Sequence, residues 1–321
     1  MLDSSVYRRR RIVALAVLAF VALAVFAVLA VTVMSSGGAS ESASSGADQP
    51  ERPAAKPAKP LELPRGGRRL FPDYRIVSFY GAPQADELGE LGIGPTSKMA
   101  KRLARQAKPY VRKTRPVLPA MELIAVIAAN APGDDGLYRN RQEDGVIRRY
   151  LRAARKAKAL LILDIQPGRA NFFTETVRLR KWLKEPDVGL AIDPEWRMKP
   201  NEVPGDVIGS VSSREVNATT AWLAQLVRRR KLPEKLFLIH QFTDDMVDDT
   251  KLKERPGLAM VLNADGFGGQ EVKNSKYRAF TSSPREFLHQ GYKLFYREDS
   301  DLMSPRQVLR LRPPPDVVIY E

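Results

Sequence analysis

"VGLAIDPE", residues 188–195, alternates small or acidic side chains with bulky apolar ones. Residues i and i+2 of a strand share a face, so Gly189, Ala191, Asp193 and Glu195 form one set and Val188, Leu190 and Ile192 the other. A strand that is apolar on both faces belongs in a parallel sheet. Small residues on one face and bulky ones on the other match the tight interior and the helix-covered exterior of a closed barrel.

Seven further runs of similar character flank this one. They are RIVSFYG (75–81), ELIAVIAAN (122–130), ALLILDIQ (159–166), KLFLIHQF (235–242), LAMVLNADG (258–266), YKLFYRED (292–299) and DVVIYE (316–321). Between them lie amphipathic helical patterns. In residues 143–157, Val146, Ile147, Tyr150, Leu151 and Ala154 share one stripe, and in 213–230 so do Val216, Thr220, Leu223 and Val227. Ser212 or Ser213 is placed to cap the second helix, with Glu215 in its first turn. Eight strands with intervening helices predict an α/β fold of the (β/α)8 TIM-type barrel class. The rival, a doubly wound open sheet, ordinarily carries G-x-G-x-x-G after its first strand, and residues 78–94 have no such spacing. The connection from 242 to 258 is short, so a small or irregular helix is expected there.

The barrel would occupy residues 66–321 of the 321-residue chain. Ahead of it, residues 12–34 contain no charge, and about 20 such residues suffice to cross a bilayer. This segment predicts a single N-terminal transmembrane helix, an uncleaved anchor longer than the apolar core of a signal peptide. The basic tail 1–11 carries Arg8, Arg9, Arg10 and Arg11, which keeps it cytoplasmic and places the barrel outside the cytoplasm. Residues 35–65, rich first in Ser and Gly and then in Pro and Ala, read as a disordered linker.

Composition narrows the chemistry. The chain has no cysteine, which excludes disulfides, thiolate metal sites and a cysteine nucleophile. With only two histidines, His240 and His289, a mainly histidine zinc site is not expected; no metal or other cofactor is implied. From residue 66 onward, 44 Lys and Arg face 32 Asp and Glu, a net +12. Such a surface favours polyanions, and because the basic residues lie on helices without interleaved aromatics, an anionic cell-wall polymer or other carbohydrate is expected as partner and nucleic acid is not.

In barrels of this class the chemistry gathers at the C-terminal ends of the strands. Those ends supply Tyr80, Asn130, Asp164 with Gln166, Asp193 with Glu195, His240 and Gln241, Asn263 with Asp265, and Tyr296. Glycosidic cleavage needs a proton donor of raised pKa and a second group that stabilises or attacks the sugar carbon, and adjacent carboxylates raise one another's pKa. Glu195, the outermost acid, is the candidate acid/base; Asp193 would orient or tune it, and Asp164 would supply the second charge. Trp196, Tyr80 and Tyr296 offer flat faces for sugars, and Arg169 a cation for anionic or hydroxyl-rich groups. Plainer roles stay open at each position: Asp193 as a turn cap, Asp164 in a salt bridge with Arg169, His240 as a core residue, and Asn263 with Asp265 as a turn. The acidic run 244–249 reads as a helix start and the loop 131–145 as a lid.

The Asp-x-Glu of Asp193 and Glu195 at the end of the fourth strand resembles secreted barrel glycoside hydrolases, both chitinase-type enzymes and muramidase-type lysozymes. The resemblance implies that Glu195 protonates the glycosidic oxygen. Val188 and Ala191 stand where the chitinase run carries aspartates, which speaks against a substrate-assisted mechanism. The whole chain also resembles membrane-anchored envelope proteins of Gram-positive bacteria, which implies a location at the cell membrane. Three functions are therefore expected as alternatives: a tethered glycosidase-like enzyme acting on envelope or extracellular polysaccharide, a non-catalytic barrel that binds anionic wall polymer, or a metal-dependent phosphoesterase or other hydrolase.

Overall fold

Uninterrupted aliphatic and β-branched runs favour strands, and among the described residues nine form in chain order: β1 (Arg75–Gly81), β2 (Val117–Ala128), β3 (Arg139–Arg141), β4 (Leu160–Ile165), β5 (Val188–Ile192), β6 (Lys235–Gln241), β7 (Leu258–Ala264), β8 (Leu288–Leu294) and β9 (Val317–Tyr320). The computed structural model describes residues 59–282 and 286–321. Residues 12–34, expected to anchor the chain, lie outside them; among the described residues no helix is long and apolar enough to cross a membrane.

Every strand except β3 runs parallel, in the order β1-β2-β4-β5-β6-β7-β8-β9, and β9 pairs back onto β1 to close the ring. Followed once round, the paired positions return to β1 displaced by eight residues. That is the stagger of an eight-stranded (β/α)8 barrel. The short β3, inside the loop read as a lid, pairs antiparallel with the end of β2, Ala128 opposite Arg139.

The connecting helices are α1 (Thr96–Ala107), α2 (Asp144–Lys156), the short α3 (Phe172–Arg178) and α4 (Arg180–Leu183), α5 (Ser213–Arg230), α6 (Gln270–Thr281) and α7 (Pro305–Val308). Helix α5 starts where its cap predicts, since the Ser212 hydroxyl accepts from the Glu215 amide, and it stops at Lys231 in the left-handed region, φ 51°. Between β6 and β7 the only helix is a single 3-10 turn, Asp249–Lys251. The acidic run before it does not start an α-helix. Asp248 bonds the Thr250 amide and hydroxyl instead, the local competition that makes Asp a turn former.

Two apolar layers divide by strand parity. Val188, Leu190 and Ile192 join the outer cluster under the helices, together with Phe237, Ile239, Met260 and Leu262. Ala191, Ile162, Leu236, Leu238, Ala259, Val261 and Ile319 fill the interior. The N-terminal end of the interior is plugged by Leu63, Leu70, Phe71 and Tyr74. Arg65 donates to the Val117 carbonyl at 2.8 Å and the Leu70 amide to Glu234 Oε2 at 2.6 Å, which fastens this segment to the starts of β2 and β6. Fully burying a Leu or Phe contributes about 1.5–3 kcal/mol, so the floor is a stabilising apolar seal. The other end of the barrel is built differently.

Candidate functional site at the barrel mouth

The inward set of β5 is Gly189 and Ala191, followed by Asp193. A Cβ on Gly189 would approach Leu236 Cβ at 3.2 Å, so the small residues are required by the interior. Asp193 continues this face just past the strand; its amide donates to the Ile165 carbonyl at 3.0 Å, and its side chain is buried. The strand read over 188–195 stops at Ile192, because Pro194 has no amide to continue the ladder. Pro194–Trp196 form a 3-10 turn. Glu195 and Trp196 therefore sit half-buried on a turn at the mouth and not on the strand. The turn is held from below by the Trp196 amide on the Asp193 carbonyl, and from the side by the Gly209 amide on the Glu195 carbonyl at 2.7 Å. Gly209 has no room for a side chain: a Cβ there would lie 2.5–2.7 Å from the carbonyl oxygens of Arg197, Glu195 and Pro194.

Deeper in the barrel, Asp164 on β4 is fully buried. Tyr80 on β1 donates its hydroxyl to Asp164 Oδ2 at 3.0 Å, and Gln166 Nε2 donates to the Tyr80 oxygen at 3.0 Å. The Gln166 carbonyl accepts from the Ala128 amide. Asp164 thus does not pair with Arg169, and Tyr80, 2% exposed, is committed to Asp164 and is no open sugar platform. Burial lifts the Asp164 carboxyl to about 6. Burial also holds Asp193 well above the usual carboxylate range; Asp164 and Glu195 add repulsion, which His240 partly offsets.

His240 on β6 stands at the centre of the mouth. Its Nδ1 is 2.7 Å from Asp265 Oδ2 and its Nε2 2.9 Å from Glu122 Oε1, while Asn263 Nδ2 is 3.3 Å from Nδ1. Lys293 on β8 reaches Asp265 Oδ2 at 3.2 Å and Glu321 Oε2 at 2.8 Å, and lies 3.8 Å from the centre of the Tyr80 ring. Burial alone would lower the His240 pKa, but Glu122 and Asp265 outweigh it and raise the imidazole well above its ordinary value. Burial would likewise raise Asp265, but Lys293, His240 and the Gly266 amide keep it ionised, below the usual range. One mouth therefore holds carboxyls pushed in opposite directions, Asp193 upward and Asp265 downward, which is the environment that separates acid from base roles. Lys276 on α6 donates to the Asp265 carbonyl at 3.1 Å, and burial brings it down to about 8.

Glu122, Lys293 and Glu321 are absent from the sequence-derived set, and three residues in that set lie away from this cluster. Strand β8 is Leu288–Leu294 and not 292–299, so Tyr296 falls beyond it. Tyr296 stacks on Tyr320 at 5.1 Å and donates to Gln106 Oε1 at 2.9 Å, on the helix side of the wall. Arg169 donates to the Glu202 carbonyl and lies 4.1 Å from the Tyr138 ring centre, which engages it at the rim. Gln241 is buried, but its parity follows Phe237 and Ile239 to the outside. Asn263 and Asp265 follow Ala259 and Val261 inward. No protein-family model matches the chain, and no curated protein matches it.

Proposed function

We propose that the barrel mouth is a glycoside-hydrolase-like site acting on cell-envelope or extracellular polysaccharide, tethered to the membrane through residues 12–34, with the barrel outside the cytoplasm. The observation that carries the reading is the stacking of three acids, with half-buried Glu195 above buried Asp193, whose carboxyl pKa is pushed upward by burial, and Asp164 deeper still. Glu195 is the acid that substrate can touch, and it delivers a proton to the glycosidic oxygen. Asp193 lies beneath it and orients or tunes the Glu195 carboxyl, the two being close enough to repel. Asp164 is too deep to attack a sugar; its repulsion adds to the burial that raises Asp193. Asp265, held below the usual carboxylate range, adds the negative potential that favours a positive sugar carbon, and water attacks that carbon to complete the cleavage. Lys276 and the +12 body draw an anionic polymer to the mouth.

The test is hydrolysis of a cell-wall and polysaccharide panel by wild type, Glu195→Gln and Asp193→Asn, with folding checked by circular dichroism. Loss of a general acid removes about 10²–10⁴ in rate; a folded Glu195→Gln with undiminished turnover removes Glu195 from this role. A second reading, a non-catalytic barrel that binds anionic wall polymer, is favoured by the basic body. It predicts binding that weakens with salt and no turnover by the wild type.

A further inference from the structure

We propose that Glu122, Asp164 and His240 form a binding site for one divalent transition-metal ion, of the Zn2+ or Mn2+ class, within the barrel beneath the acid pair. The three residues come from β2, β4 and β6, and each offers one ligand atom within 4.8 Å of the other two. All are at most 1% exposed. Two oxygens on the cluster's own carboxyls, Glu122 Oε2 and Asp164 Oδ1, are buried without a hydrogen-bond partner. An orphaned buried acceptor costs about 1–3 kcal/mol. Both orphans are acceptors, so what satisfies them is a donor or a cation, and a cation held by this cluster is such a partner.

The surroundings orient the ligands as metal sites require. A ligating histidine ordinarily donates its other ring N–H to a carboxylate, which fixes the tautomer and ring direction. Asp265 stands 2.7 Å from His240 Nδ1 and is itself held by Lys293 and the Gly266 amide. That leaves Nε2 facing Glu122 at 2.9 Å. Tyr80, supported by Gln166, fixes the other oxygen of Asp164. One imidazole with two carboxylates suits first-row transition ions better than Mg2+ or Ca2+, which prefer all-oxygen sets rich in water. The ion would replace the imidazole proton between His240 and Glu122. The site does not depend on the hydrolase reading, because Glu195 and Asp193 are outside the ligand set.

The test uses the 321-residue chain stripped with a chelator, then titrated with Zn2+ and separately with Mn2+. Metal content, isothermal titration and Tm are read rather than activity. The expected result is one equivalent bound, a Tm rise of several degrees, and affinity weakened at least about 100-fold in Glu122→Gln and in Asp164→Asn. Should Glu122→Gln fail to fold, Asp164→Asn and the wild-type titration still decide. Absence of binding by the wild type, or unchanged affinity in a folded variant, overturns the site. Lost hydrolysis in Glu195→Gln with metal binding intact separates the failure of one proposal from that of the other.

Discussion

Lys235 and Lys293 both lie buried on barrel strands, one at the N-terminal end of the wall and the other at the mouth, and burial affects them differently. The Lys235 ammonium donates only to the main-chain carbonyls of Glu185 and Val188. Burial brings it down to about 7, although Asp187 and Glu185 are near enough to resist. Lys293 meets two carboxylates, Asp265 and Glu321, and the face of Tyr80; these outweigh burial and hold it above the ordinary lysine value. Carbonyl dipoles solvate a buried ammonium without neutralising it, whereas ionised carboxylates do both. The closed end of the barrel is an apolar seal that tolerates a stray cation. The mouth is a lattice of alternating charges in which each member depends on the next.

Breaking that lattice gives the largest expected effect. Lys293→Met takes from Glu321 its buried cation and leaves Asp265 paired with His240 without Lys293, and removing one partner of a buried pair costs about 3–5 kcal/mol. Chemical denaturation should show that loss; a loss under about 1 kcal/mol would mean that the two carboxylates are not held by Lys293. Two residues earlier on the same strand, a Cβ on Gly291 would lie 2.5 Å from Asn263 Oδ1 and 3.1 Å from its Cα. Gly291→Ala should therefore destabilise by roughly 1–3 kcal/mol through overpacking, and a neutral outcome would show that Asn263 can move aside.

The smallest effect belongs to the sealed end and is read through pH. The unfolded-chain value for Lys235 is near 10.5 and the folded value about 7. Below pH 7 both states hold the proton, and the full penalty of the buried ammonium is present. Between pH 7 and 10.5 the unfolded state binds a proton that the folded state does not, so stability from this group rises with pH. Lys235→Met should thus gain a few degrees in Tm below pH 7, with the gain shrinking toward pH 10. Parallel pH profiles for wild type and variant would place Lys235 in water.

Much of the barrel was legible because its strands obey one rule, a near-continuous apolar run between polar ends. Residues 75–81, 159–166, 188–192 and 235–242 follow it closely enough to be read directly. Strand β8 was displaced because its inward residues are His289, Gly291 and Lys293, which look like a loop when counted as hydropathy. With the strand shifted toward 292–299, Lys293 lost its place at the mouth and Tyr296 took one it does not hold. Glu122 was hidden for the opposite reason. The expected strand began at that residue, so it resembled a solvated strand start, but β2 begins at Val117 and carries Glu122 into its middle. An acid flanked by VLPAM and LIAV was the available signal. The ring of Tyr80, Asp164, Asp193, His240 and Asp265 was found because each stands at the polar end of an apolar run. Their mutual bonding could not be read, since it depends on the stagger of the strands.

The contact between Gly209 and the 3-10 turn has a consequence for how this mouth can vary. The backbone, and not the acid itself, sets the place of Glu195, for its carbonyl is gripped by a residue fourteen positions downstream that has no space for even a methyl group. The bond from Gly209 is thus independent of which side chain stands at 195. Chemistry at the mouth can be retuned by exchanging the side chain at 195 with its anchorage intact, while a methyl at 209 would displace the proposed catalyst without touching it.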